Sequence, residues 1–272
     1  MTSYSVAYPF ITEKKEGRKI IFIAVKLANK PGAFLKITQI LAKYKVNILS
    51  GVIEAPLEEE YAYWLSQLDI TDVDKPFDKI INEISSLDVV YNIEHGVKEV
   101  GKILLPPFSI STVALGGNVI IERDEWLSEL YKALDQHFGV AGQAFMYHLG
   151  FRAGYHMGEK WQKNVGLSGK DLLILGLEIF KALNWIKDYK ILKFNPEKNK
   201  VRFRLYENFE CRSFKGKGKS PRSHYLRGIL AGFISYILGE KISLTEAKCL
   251  SKGDKYCEFT SKKPSLSLLT PI

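Results

Sequence analysis

The chain has 272 residues, a length that suits two domains better than one. Hydrophobic residues make up 46% and aromatics 12%, enough to build real cores, which excludes wholesale disorder. The formal net charge of +9 suits a lysine-rich soluble surface, and no nucleic-acid-binding motif accompanies it. No apolar run reaches the roughly 18 residues needed to span a bilayer. The opening stretch, MTSYSVAYPFITEKKEGRK, lacks a signal-peptide hydrophobic region, so the sequence places the protein in the cytoplasm with no membrane partner. The three cysteines, Cys211, Cys249 and Cys257, are an odd count, which points to a metal site or buried thiols rather than to disulfides.

In chain order, residues 19–28 (KIIFIAVKLA) read as a buried strand, and NKPGAF breaks it with a tight turn. Phe34, Ile37, Leu41 and Tyr44 stand at helical spacing. Residues 45–55 and 61–71 read as strands, 76–87 as a second amphipathic helix, and 89–98 as a fourth strand. The order βαββαβ predicts a ferredoxin-like domain over 18–97. The motif Asn29-Lys30-Pro31-Gly32-Ala33-Phe34, followed by a helix and Asn47-Ile48, resembles the ACT family. The resemblance implies regulation, pairing into a homodimer and an amino-acid ligand, with Asn29, Pro31, Gly32 and Asn47 as the contacts.

Pro106-Pro107 suggests an extended linker over 98–108 and a second domain over 109–262. Its segments read as short strands around Gly116-Gly117, a helix from Asp124 to about His137, and an aromatic-rich helix over 140–161. The latter carries Gly150, Gly154 and Gly158 on one face, which permits close approach of another backbone. A mostly apolar helix follows over 168–186, then a hairpin over 189–211, a basic loop over 213–223, a helix over 224–239 and a last hairpin over 243–260. The fold class is therefore α+β: a ferredoxin-like domain, then helices packed on an antiparallel sheet.

The last hairpin carries Glu246-x2-Cys249-x7-Cys257. Its two cysteines flank the turn at 251–254, so their sulfurs can converge across the arms. Cys211, at the end of the preceding hairpin, is a candidate fourth ligand, with His224 as a rival. Three thiolates and a carboxylate make a tetrahedral zinc set.

The run Tyr225–Phe233, then Glu246-Ala247-Lys248-Cys249, then Gly253–Phe259, resembles the vinyl-4-reductase-type domain, a relative of the TRAPP fold found in archaeal regulators and phenol-sensing activators. The resemblance implies structural zinc on Glu246, Cys249, Cys257 and Cys211. It also implies a small apolar or aromatic ligand held in an internal pocket, for which His148, Phe151, Trp185 and Tyr225 are the candidates. The basic loop separates Cys211 from Glu246 by a longer interval than in the phenol sensors.

A reductase needs a hydride source, and the chain has no Gly-x-Gly-x-x-Gly turn between strand and helix. It has no nucleophile elbow either. A filled S3O set leaves zinc no place for water, so the sequence reads as a non-catalytic small-molecule sensor. Two alternatives stand beside it. One is a nucleic-acid-linked regulator using Arg212, Lys215, Lys217, Lys219, Arg222 and Arg227. The other is a reductase of a vinyl group.

Overall fold

A computed structural model describes residues 8–114 and 117–262. The chain divides into two compact units, 1–119 and 120–272. The boundary therefore falls between Val119 and Ile120, later than the proline pair suggests. The opening residues 1–7 and Leu115-Gly116 lie outside the described residues.

The first unit contains β1 (Thr12–Glu13), β2 (Ile20–Ala28), α1 (Ala33–Lys43), β3 (Asn47–Glu54), β4 (Tyr61–Asp69), α2 (Phe77–Ser85) and β5 (Val90–Gly96). Strands β2 to β5 form one antiparallel sheet in the order β3-β4-β2-β5, as the βαββαβ reading requires. Period-2 alternation sends Ile23, Val25 and Leu27 of β2 to one face, where they pack with Ile37 and Leu41 of α1 and Ile80 and Ile84 of α2. At Gly32, φ is 85°, a left-handed conformation that an L side chain would strain.

The expected linker is not a linker. Residues 98–105 fold into β6 (Lys98–Val100) and β7 (Ile103–Leu105), and β7 also pairs with β1. The diproline misled because it lies just beyond these strands. Its second ring packs against Gly96, where an added Cβ would lie 3.0 Å from Pro107 Cγ. A two-residue ladder, β8 (Val113–Ala114) with β9 (Gly117–Asn118), ends the unit.

The second unit opens with α3 (Asp124–Val165), which joins the two helices expected there and breaks the regular winding only at Gly139, φ 51° and ψ −130°. Then come α4 (Gly169–Ala182), β10 (Asp188–Asn195), β11 (Lys200–Tyr206), the single turn α5 (Phe209–Arg212), α6 (His224–Leu238), β12 (Ser243–Lys248), a 3-10 turn (Leu250–Lys252) and β13 (Cys257–Lys262). The sheet order is β10-β11-β13-β12, all antiparallel. Its inner face, with Val201, Phe203, Leu205 and Phe259, joins Leu172 and Leu177 of α4 and Leu226, Leu230 and Phe233 of α6 in one core. Helix α4 stops at Ala182, short of the expected 186, and Trp185 stacks on Phe180 instead of extending it.

Glycine sets the tightest contact in the molecule. A Cβ on Gly154 would sit 1.9 Å from the carbonyl oxygen of Ile229, and one on Gly232 1.9 Å from that of Phe151. Gly150 and Gly228 face the opposite backbone almost as closely. Helices α3 and α6 thus touch main chain to main chain, as the four-residue glycine spacing suggests. Because a carbonyl on a packed helix cannot step aside, Gly154→Ala should destabilise the protein by roughly 3 kcal/mol. Urea denaturation reads this directly, and an unchanged midpoint would rule out so close an approach.

Candidate metal centre

The centre is built where α5, the start of α6 and the last hairpin meet. Cys249 and Cys257 sit one step beyond the last paired residues of the hairpin, Lys248 and Glu258, so their side chains face each other. The turn between them is wider than expected because a 3-10 turn fills it. Asp254 closes that turn by accepting the Cys249 amide at 2.9 Å. Cys211 is not on a strand. It lies in α5, whose cap Asn208 accepts the Cys211 amide at 3.0 Å.

The three sulfurs and a Glu246 oxygen all lie within 4.8 Å of one another. Cys249 Sγ is 3.4 Å from Cys211 Sγ and 3.9 Å from Cys257 Sγ. These are not disulfide distances. A tetrahedral zinc with bonds of about 2.3 Å places its sulfurs about 3.8 Å apart, so the spacing fits that ion. His224, the rival for the fourth place, is not among the four.

All four side chains are buried. Mutual hydrogen bonding concentrates charge on one thiol: contacts from Cys211 and Cys257 push Cys249 down, while the same contacts push Cys257 up. Hydrogen bonding to Cys249 raises Cys211, and burial raises Glu246. Without a cation the cluster favours a single negative charge. A divalent ion would let the remaining donors ionise.

Two buried residues that sequence reasoning missed hold the donors in place. Asn208 Nδ2 donates to Cys257 Sγ at 3.0 Å while its Oδ1 caps α5. Ser223 donates to Glu246 through Oγ at 2.9 Å and through its amide at 3.3 Å, and its Oγ lies 3.0 Å from Cys211 Sγ. Ser223 precedes α6 but gives its hydroxyl to the cluster. Glu210 takes over the capping, accepting the amides of Tyr225 and Leu226 at 2.9 Å each. Burial pushes the Glu210 carboxyl up to about 7. An Asn three residues before a buried Cys is a readable capping signal. Glu210 has none, because its partners lie 15 and 16 residues further along the chain.

Beside the centre lies a small polar cavity of about 20 Å³, bounded by Tyr131, Asp135, Gln143, Glu210, Phe214 and His224 among others. It has room for about one water. Arg222 ties it shut through Asp135 Oδ2 at 3.0 Å, and Gln143 donates to the other oxygen at 2.6 Å. Burial pushes His224 down to about 4.

The expected ligand pocket of His148, Phe151, Trp185 and Tyr225 does not form. His148 is exposed in an open recess with Phe145, Leu149 and His156. Phe151 is buried in the core, Trp185 lies between Phe180 and Phe209, and Tyr225 gives its amide to Glu210. Helix α3 turns successive aromatics to different sides, which the aromatic count alone concealed.

The four ACT-type candidates do not form one site in a single chain either. Asn29 follows β2 at the Tyr61 end of β4, with its amide donating to the carbonyls of Pro56 and Glu59. Pro31 and Gly32 stand at that same end, whereas Asn47 pairs with Asp69 at the other. The strand between them is about 26 Å long. In the basic loop, Arg212 binds Asp124, Lys215 binds Glu207, Arg222 binds Asp135 and Arg227 lies over the Tyr147 ring, which leaves Lys217 and Lys219 as its exposed charges.

Residues 201–263 match the family model of the vinyl-4-reductase-type domain. That stretch holds Cys211, Glu246, Cys249 and Cys257, so the resemblance holds over this segment. An uncharacterised protein of Methanocaldococcus jannaschii, MJ1642, is 30% identical over 107 residues, 39% of this chain and 60% of that protein. The chain thus spans less than two thirds of that relative. The phenol-responsive sensory domain of the transcription activator PoxR is 18% identical, covering 61% of this chain and 84% of its own, with a TM-score of 0.47. The ACT domain of a Chlorobium tepidum GTP pyrophosphokinase is 16% identical and covers 29% of this chain and 97% of its own, TM-score 0.24. Among the described residues, no helix is long and apolar enough to cross a membrane.

Two outcomes follow. Asn208→Ala should weaken metal retention roughly 10–100-fold, as loss of an outer hydrogen bond to a ligand does, and a chelator competition measures it. For His224, the folded-state value of about 4 lies below the ordinary 6.5. Its contribution is present above pH 6.5 and is lost as pH falls towards 4, where folding must give up a proton that the unfolded chain keeps. His224→Gln should therefore lose less stability than the parent between about pH 7 and about 4. Equal losses in thermal melts would show that His224 is solvated.

Proposed function

We propose that the C-terminal unit is a non-catalytic small-molecule sensor domain braced by structural zinc. The observation that carries this reading is the closed donor set. Cys211, Glu246, Cys249 and Cys257 supply four ligand atoms within 4.8 Å of one another, all buried, and so fill every place a tetrahedral ion offers. A zinc ion held this way has no open position for water or substrate. It would cross-link α5 to both arms of the last hairpin.

The sensing site in this reading is the polar cavity, which replaces the aromatic pocket expected from sequence. Two of its lining residues are chain neighbours of the centre: Glu210 precedes Cys211, and His224 follows Ser223. A ligand that entered would press on groups hydrogen-bonded to the ligand set. Neutral His224, the Tyr131 hydroxyl and the Gln143 amide offer donors and acceptors to a small hydroxylated ligand, and Phe214 and Met146 offer an apolar wall. The free space holds about one water, so entry requires the Arg222–Asp135 contact to open. The name of the neighbouring PoxR domain, phenol-responsive, is in keeping with this ligand class. The ferredoxin-like unit would act as the regulatory partner, pairing with a second copy.

Elemental analysis should find about one zinc per chain, and cobalt substitution should give a tetrahedral spectrum that added azide leaves unchanged. Thermal melts of the zinc-loaded protein with a panel of small phenols test the sensing half. An azide-sensitive cobalt spectrum would refute the closed site; no shift with any compound, for the parent or for Arg222→Ala, would refute the sensing cavity.

A further inference from the structure

The face of the second sheet turned away from the core is cationic, and nothing said so far uses it. Register assigns its residues. Lys190 of β10 pairs with Arg204 of β11, Arg204 with Glu258 of β13, and Glu258 with Lys248 of β12, so one row crosses all four strands. In the next row Lys193 pairs with Arg202, Arg202 with Thr260, and Thr260 with Thr245. Lys190, Lys193, Arg202 and Lys248 reach solvent from these rows.

Two carboxylates share this face. Asp188, at its corner, lies 3.4 Å from Lys181. Glu258 is only 2% exposed and is spent on the arginines: Arg202 reaches Oε1 at 2.5 Å and Arg204 reaches Oε2 at 2.7 Å. It fixes both guanidiniums and leaves the trio one net positive charge. Two tyrosines complete the face. Arg204 lies 4.3 Å over the ring of Tyr256, and Tyr206 meets that ring at 5.8 Å.

We infer that this face binds single-stranded nucleic acid. Strands about 4.8 Å apart and alternate residues about 6.6 Å apart make a flat grid of cations, which a flexible phosphate backbone can follow across the strands. The tyrosines, with a guanidinium already stacked on one, offer the aromatic surface on which unpaired bases lie. The face is too broad to enter a duplex groove, which admits a helix or a two-stranded ribbon. A membrane surface or a protein partner would call for apolar anchors. Among the described residues, the exposed large hydrophobics of this unit lie in the approach to α3, along α3 itself and in the ends of and loops beside α4, with none on β10 to β13. The surface is distinct from the basic loop, most of whose charges are turned to its own chain's carboxylates and rings.

The test is fluorescence anisotropy with the full zinc-loaded chain and a labelled oligo-dT or oligo-U of about 16 nucleotides. At about 50 mM salt binding should be saturable, and log K should fall with log salt at about −0.7 per phosphate contact, near −3.5 for about five cations. The triple variant Lys190→Ala, Lys193→Ala, Lys248→Ala removes surface charges without touching the core. It should weaken binding at least tenfold and flatten the slope by about 2. Its melting temperature and metal content should match the parent's. Lys217→Ala with Lys219→Ala should change nothing. The inference is overturned if neither oligonucleotide binds, if a duplex binds equally well, if phosphatidylserine vesicles or an acidic peptide bind in place of the oligonucleotides, or if the loop variant rather than the sheet variant abolishes binding.

Discussion

Three thiols and a carboxylate withdrawn from water together form the constraint on which the second unit turns. Burying any one of them alone in ionised form would be expensive. The chain buries all four with their donor atoms within 4.8 Å of one another, and the surrounding groups are arranged to make that tolerable. Asn208 and the Leu250 amide donate to Cys257, Ser251 lies against Cys249, and Ser223 serves Glu246 and Cys211. These contacts come from several separate stretches of chain. The loop after β11, the cap of α6 and the two arms of the last hairpin are therefore specified together. A change in any one leaves a buried donor or acceptor without its partner.

This knot needs α6 to start in the right place, and the glycine faces of α3 and α6 supply that. Their backbones approach so closely that no sliding by a residue is possible without driving a side chain into a carbonyl. With α6 fixed, its first amides meet Glu210, and Ser223 is released to the cluster. Helix packing and site chemistry are linked through one residue, because the serine that would ordinarily cap its own helix is needed elsewhere.

Much of this was legible in the sequence, for reasons that differ between elements. The βαββαβ unit has clean periodicity: Ile23, Val25 and Leu27 alternate, and Ile37 and Leu41 repeat at helical spacing, so local pattern and tertiary role agree. The donor set was legible because cysteines are scarce and two of them flank a turn. Segments failed where the deciding contact was distant. Ile103 and Leu104 pair with Glu13 and Thr12, a two-residue strand at the far end of the unit, which no local pattern announces. Asn47 and Asn29 look like one motif in a linear reading, yet the strand they bracket holds them at opposite ends. His148 and Trp185 were singled out for their chemistry, but helix phase turned one to solvent and stacking enclosed the other.

Alternation along β13 ties the two faces of the sheet together. Cys257 points inward to the cluster, and its neighbour Glu258 points outward to Arg202 and Arg204. A slip of one residue against β11 would exchange them, placing a carboxylate among the core aromatics and a thiol under two guanidiniums. The inner donor set and the outer ion trio therefore each enforce the register that the other requires. In this unit the residues that close the centre and those that order the cationic surface are one folding decision, made once along a strand of 6 residues.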